Sequence, residues 1–200
     1  MEHSKLFIKL IDSLKRMPGV GSRSAQRMAF FMLDKEPKVA KLISDNIQQC
    51  LEVLKNCQQC NILTEANICD ICSSLKRDNK TVCIVESPSN VIAIENTGVY
   101  KGVYFVLKGV LNPMDGIGPD EINLPKLETL LKGKLFKEVI LALSSTVEGE
   151  ATSYYIANMA NQYGLKSSKI AHGIPMGGEL EYIDAQTIST ALTHRLNLDK

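Results

Sequence analysis

The spacing of four cysteines constrains this chain more than any other feature. Cys57-Gln58-Gln59-Cys60 is followed eight residues later by Cys69-Asp70-Ile71-Cys72. Each CxxC makes a short turn that aims two sulfurs at one point. Two such turns close together supply the four thiolates of a tetrahedral structural zinc site, with one Zn²⁺ per chain. The rival readings are four buried or free cysteines and a CxxC redox centre. A redox centre is one pair opening a helix after a strand, not two pairs across a short loop. The segment 57–72 has no core of its own, so a metal is expected to order it. It also marks a border. Before it the chain reads as helix; after it strands and helices alternate.

The chain has 200 residues, 44% apolar and 22% charged. That length suits one large domain or two small ones. There is no long apolar run and no leader-peptide pattern, so no membrane association is expected and the compartment is read as the cytoplasm. A reducing compartment favours metal over disulfides for six cysteines. Cys50, in a helix, and Cys83, in a strand, are expected to be buried small hydrophobes. The net charge of +1 hides a split. Residues 1–56 carry ten Lys or Arg against six Asp or Glu, and residues 81–200 carry ten against thirteen. A modest positive excess at the N-terminus fits nucleic acid but does not establish it.

Leu6, Phe7, Leu10, Ile11 and Leu14 recur at helical spacing and predict a helix over 4–16. Met17-Pro18-Gly19-Val20-Gly21 breaks it, and Ser22 is expected to cap a second helix over 23–33. Ala25, Met28, Ala29 and Met32 should form its inner face. Helix, Pro-Gly-Val-Gly, helix is the form of a helix–hairpin–helix motif. Small residues let a DNA backbone approach closely. The amides of Gly19, Gly21 and the following first turn can meet phosphate oxygens. Arg23 and Arg27 stand one turn apart and can neutralise neighbouring phosphates, with Lys9, Lys15 and Arg16 as weaker candidates. The alternative is an ordinary helical corner with solvent-facing arginines. A third helix is predicted over 36–56, with Val39, Leu42, Ile43, Ile47, Leu51 and Leu54 packing on the hairpin.

Beyond the cysteines, strands are expected over 81–85, 104–107, 138–143 and 169–172, and helices over 88–95, 124–131, 151–163 and 188–196. This order implies a small parallel sheet with helices on both faces. No P-loop, GxGxxG or nucleophile elbow is present. Glu86, Glu148 and Glu150 follow strands and could converge at one sheet edge, where weak or absent Mg²⁺ binding competes with plain helix capping. His172 follows a strand and reads as a packed histidine.

Assembled in order, these pieces resemble the RecR family of bacterial recombination mediators. The likeness rests on Met17-Pro18-Gly19-Val20-Gly21 with Ser24-Ala25-Gln26-Arg27-Met28, the four cysteines, and Val85-Glu86-Ser87-Pro88. It also rests on Asp115-Gly116-Ile117-Gly118-Pro119, Thr146-Val147-Glu148-Gly149-Glu150-Ala151-Thr152, Ala171-His172-Gly173-Ile174-Pro175 and Gly177-Gly178-Glu179-Leu180-Glu181-Tyr182. The resemblance implies a multidomain α+β and α/β chain: a helix–hairpin–helix domain over 1–56, a four-Cys zinc finger over 57–72, a Toprim-like domain over 80–173, and a Walker B-like loop with a C-terminal helix over 174–200.

In Toprim enzymes one Glu and an Asp-x-Asp pair bind Mg²⁺. Glu86 matches the Glu, but no Asp-x-Asp stands between Ser144 and Glu150, so no catalytic residue is expected. The resemblance further implies a homodimer or homotetramer that clamps single- and double-stranded DNA without reading sequence, in the cytoplasm at the nucleoid. It implies RecO, and in many bacteria RecF, as partners in placing RecA on single-stranded gaps. Glu86 and Glu148 then belong to a partner-binding surface. Two other functions compete: an Mg²⁺-dependent nuclease or topoisomerase-like enzyme, and a zinc-stabilised adaptor with no DNA role.

Overall fold

A computed structural model describes residues 4–133, 136–171 and 173–195. The chain divides into two compact units, with the break between Leu54 and Lys55.

The first unit is helical. Helix α1 (Lys5–Leu14) and helix α2 (Ser22–Phe30) flank the hairpin turn, and α3 (Pro37–Val53) follows. The start of α2 is capped by Gly21, in extended backbone, not by Ser22, which already lies inside the helix. Gly19 has φ +75°, which explains glycine at that turn. Helix α2 ends earlier than its apolar pattern implied. Phe31–Lys35 form a π-helical turn, which delivers the chain to Pro37 at the start of α3. Phe7 and Phe30 pack between α1 and α2, with ring centroids 4.7 Å apart.

The interior of this unit is thin. Ala25 and Ala29 are buried, but Met28, expected inside, is 41% exposed. No residue of α3 is buried, and Leu42, Ile43, Ile47 and Leu51 stand in solvent. Cys50 is likewise exposed, contrary to the expectation of a buried hydrophobe. The apolar stripe of α3 is present, but only its start, at Val39 and Ala40, is half-buried, and the rest lies open.

The second unit begins with a metal-site knuckle. A two-residue hairpin, β1 (Lys55–Asn56) with β2 (Leu63–Thr64), carries the first CxxC, and α4 (Asp70–Ser73) carries the end of the second. Four parallel strands follow: β3 (Asp78–Val85), β4 (Gly102–Val106), β5 (Glu138–Ala142) and β6 (Lys166–Lys169). Their spatial order is β4-β3-β5-β6. The connecting helices are α5 (Pro88–Asn96), α6 (Leu124–Gly133) and α7 (Val147–Gln162), and α8 (Ala185–Thr193) follows.

Alternation along β3 sets the layers. Val82 and Ile84 face a core shared with Leu124, Leu127 and Leu131 of α6 and Ile156 of α7. Cys83 and Val85 face the other side, where Val91 of α5 packs together with Ile62 and Ile71 of the knuckle. Each fully buried Leu or Ile contributes about 1.5–3 kcal/mol, so this unit holds itself together. Cys83 is buried as expected, and burial pushes its thiol up to about 12.

Several boundaries differ from the sequence reading, two of them at the sheet's C-terminal side. Helix α7 starts at Val147, four residues before the expected point, because Thr146 caps it by accepting from Gly149 N at 3.1 Å. Strand β6 covers Lys166–Lys169, so the expected start at Lys169 is its end. His172 lies outside the described residues.

Candidate metal centre and nucleic-acid interface

The four cysteines converge. Their sulfurs all lie within 4.8 Å of one another, and the Cys60 and Cys69 Sγ atoms are 3.4 Å apart. Four Zn–S bonds of about 2.3 Å would set sulfurs about 3.8 Å apart, so the cluster has the size of a tetrahedral zinc site. Cys57, Cys60 and Cys69 are buried and Cys72 is partly so. Cys57 Sγ accepts from Cys69 N at 3.4 Å, which ties the two CxxC turns together. The hydrogen bond from Cys72 pulls the Cys60 thiol down to about 5, while burial pushes Cys69 up to about 11. Its hydrogen bond to Cys60 raises Cys72 further. Packed this closely, four sulfurs can all be anionic only around a cation. A Zn²⁺ ion fits this donor set, and its chemistry is structural.

The exit from the knuckle is anchored as well. Arg77 grips both carboxylate oxygens of Glu95 and donates to the carbonyls of Tyr100 and Gly102, each at 3.4 Å. Tyr104 Oη donates to Glu95 Oε1 at 2.6 Å. The Arg77 hydrogen bond holds the Glu95 carboxyl below its usual range.

Glu86 and the β5–α7 turn meet at the C-terminal edge of the sheet, where the strand order reverses between β3 and β5. Such points hold the sites of open α/β folds. Here Glu86 accepts a hydrogen bond from Ser144 N, and Ser144 Oγ and Thr146 Oγ1 lie 3.1 Å apart. Serine and threonine thus occupy the turn where an acidic pair would be needed. Glu148 and Glu150 sit in the first turn of α7, and Glu150 pairs with Lys169. Among the described residues, the cysteines are the one group of possible ligands that converges. Among the described residues, Glu86, Glu148 and Glu150 do not gather around one point.

In the first unit, Arg23 and Arg27 are exposed and line one cavity of about 730 Å³ with Ser24, Phe30, Phe31 and Lys35. The space around Gly19 and Gly21 is open. Lys9 and Arg16 are exposed, and Lys15 is partly neutralised by Asp12 at 3.1 Å. Lys35 was not singled out by its sequence, because the π-turn that brings it to the arginines has no sequence signature.

A helical hairpin, a four-thiolate knuckle and a four-stranded parallel sheet define a class: modular proteins that join a helix–hairpin–helix and a zinc knuckle to a Toprim-like fold. Models of the RecR helix-hairpin-helix match residues 7–51, the RecR four-cysteine zinc finger domain residues 54–74, the Toprim domain residues 80–171, and the RecR C-terminal region residues 173–195. Recombination protein RecR of Saccharophagus degradans is 48% identical over 96% of this chain and 98% of its own length. Those of Coxiella burnetii and Methylococcus capsulatus are 47% and 46% identical, each over 98% of both chains. The chain belongs to the RecR family of recombination mediators, DNA-binding proteins that act without catalysis. No helix among the described residues is long and apolar enough to cross a membrane.

Proposed function

We propose that this chain is a cytoplasmic, nucleoid-associated clamp that binds single- and double-stranded DNA through its hairpin and, with RecO as partner and RecF as a second candidate, promotes RecA loading on single-stranded gaps. The observation that carries the reading is the shared position of Arg23, Arg27 and Lys35 on one cavity of the hairpin unit. Gly19 and Gly21 leave room for a phosphate chain beside it, and Lys9, Lys15 and Arg16 add positive charge. Contacts of this kind grip phosphates and do not read bases.

One small basic patch binds weakly. A homodimer or homotetramer repeats it and multiplies the effect. The uncovered apolar stripe of α3 supports self-association, because a helix with no buried residue gains little from its own unit. The acids of the second unit serve partners: Glu86 at the sheet edge and Glu148 at the start of α7 are read as a docking surface for RecO. The domains are taken as 1–56, 57–72, 80–173 and 174–200, one module for each task.

The test is DNA affinity of the full-length Arg23→Ala/Arg27→Ala protein, measured by fluorescence anisotropy across a salt series. Affinity should drop about tenfold or more, and the salt slope should become shallower by about one per lost phosphate contact. Unchanged affinity and slope would place the DNA site elsewhere. Separately, Glu86→Ala should weaken RecO binding and leave DNA affinity as it was.

A further inference from the structure

The knuckle is fastened to the sheet by groups that a thiolate site does not require. Strand β4 is an outer strand, so its last residue turns a backbone N–H and C=O away from β3. That residue is Val106. Its N–H donates to Cys60 O at 2.8 Å, and its carbonyl accepts from Asn61 Nδ2 at 3.2 Å. The end of the first CxxC therefore stands in for a missing neighbour strand.

Asn61 is built for this role. It is 4% exposed and has φ +66°, a conformation that asparagine tolerates better than most residues. Its N–H donates to Cys57 O at 3.1 Å. Its side-chain oxygen accepts from Lys126 Nζ, which also donates to Cys57 O at 3.3 Å. Lys126 belongs to α6, whose buried residues pack on the face of the sheet opposite the one that Ile62 and Ile71 cover. The lysine thus reaches round the strand edge to hold the knuckle. A zinc ion with four thiolates carries two net negative charges, so a fixed ammonium beside the first ligand also favours the loaded state.

The fastening leads directly to the sheet edge. Leu107 N donates to Val85 O at 2.9 Å, and Lys108 N and Gly109 N donate to Glu86 O at 3.0 and 3.1 Å. This set begins at the residue after Val106, where the knuckle is bound.

We propose that Asn61 and Lys126 form a latch through which metal occupancy of the four-cysteine knuckle controls the order of the β4 end beside Glu86. With the ion in place, Cys57 and Cys60 are fixed, and so are the groups that hold Val106. Without it these positions slacken, and Val106 loses its outer partners. Linkage makes the coupling reciprocal: if the ion orders the edge, the edge helps retain the ion. Any effect on partner binding rests on the reading of Glu86 given above; the latch itself does not.

The experiment uses the full-length, zinc-loaded protein and the variants Lys126→Met and Asn61→Gly, the latter keeping the positive φ accessible. Zinc release to 4-(2-pyridylazo)resorcinol should be about tenfold faster in each variant, as for other groups that orient metal ligands. The double variant should be little worse than either single one, because both cut one latch. Hydrogen exchange at Leu107, Lys108 and Gly109 should accelerate when the wild-type protein is stripped of metal, while Val139 and Leu141 in β5 stay protected. Release rates equal to wild type, or exchange at 107–109 indifferent to metal, would overturn the latch. Should Asn61→Gly fail to fold, Lys126→Met carries both measurements alone. A Glu86→Ala protein that binds RecO normally would remove the docking reading and leave these two readouts untouched.

Discussion

Helices α3 and α7 are nearly the same length, 17 and 16 residues, yet they live differently. Helix α7 buries Gly149, Thr152, Ser153, Ile156, Met159 and Ala160 against its own sheet. Helix α3 has no fully buried residue, and Leu51 is 79% exposed. The apolar stripe of α3 is the stronger; the buried face of α7 mixes Ile156, Met159 and Ala160 with Gly149, Thr152 and Ser153. The sheet gives α7 a broad flat surface within the same chain. The hairpin offers α3 only two short helices, whose fully buried residues are Ala25 and Ala29. An amphipathic helix without a covering surface is stable only if that surface comes from elsewhere. The α/β unit thus carries its own core, while the helical unit leaves most of the α3 stripe exposed.

The largest expected effect lies in the knuckle that opens the α/β unit. Cys60→Ser should bring zinc content from about one ion per chain to near zero and cost the α/β unit more than about 3 kcal/mol, since structural zinc binding is folding free energy. Atomic emission together with urea unfolding would show it, and a variant as stable as wild type would mean that the knuckle folds without metal. Next, Ile156→Ala in α7 should cost about 2–5 kcal/mol as a core truncation, read as a lower urea midpoint.

A third test uses acid. Arg77 lowers the pKa of Glu95, so this pair stabilises the fold fully above the unfolded carboxylate value of about 4.3 and loses that contribution as pH falls through the lower folded value. Glu95→Gln should cost about 1–3 kcal/mol at pH 7 and flatten the acid limb of the stability profile. An unchanged limb would assign acid sensitivity to other groups. The smallest effect on stability is expected for Ile47→Ala in α3, within about 0.5 kcal/mol for the separated chain. The same change should shift sedimentation toward smaller species. A loss of stability as large as that of Ile156→Ala, with no change in assembly, would break the contrast between the two helices.

Much of this was legible in the residues. Doubled CxxC spacing located the metal centre, because thiolate geometry is set by local turns. The apolar runs around Cys83 and Ile140 located central strands, because a parallel sheet is buried on both sides. The start of α7 was not legible. Thr146-Val147-Glu148-Gly149-Glu150 reads as a loop, since glycine disfavours helix. In the fold a Cβ at Gly149 would run into the Ser144 carbonyl, so close approach of strand and helix demands that residue. Nor did the sequence single out Asn61 or Lys126. One looks like loop polarity and the other like an ordinary surface lysine; their roles come from contacts 65 positions apart. The exposure of α3 was hidden for a related reason: periodicity shows that a helix has an apolar side, not who covers it.

The exposed thiol of Cys50 turns this last point into a practical handle. Its fellow cysteines are gathered in the metal centre or, like Cys83, shut away and hard to ionise. A maleimide dye added to intact protein should therefore mark α3 first. Its rate of attachment, followed against protein concentration, would fall if the proposed self-association covers that helix and stay constant if it does not.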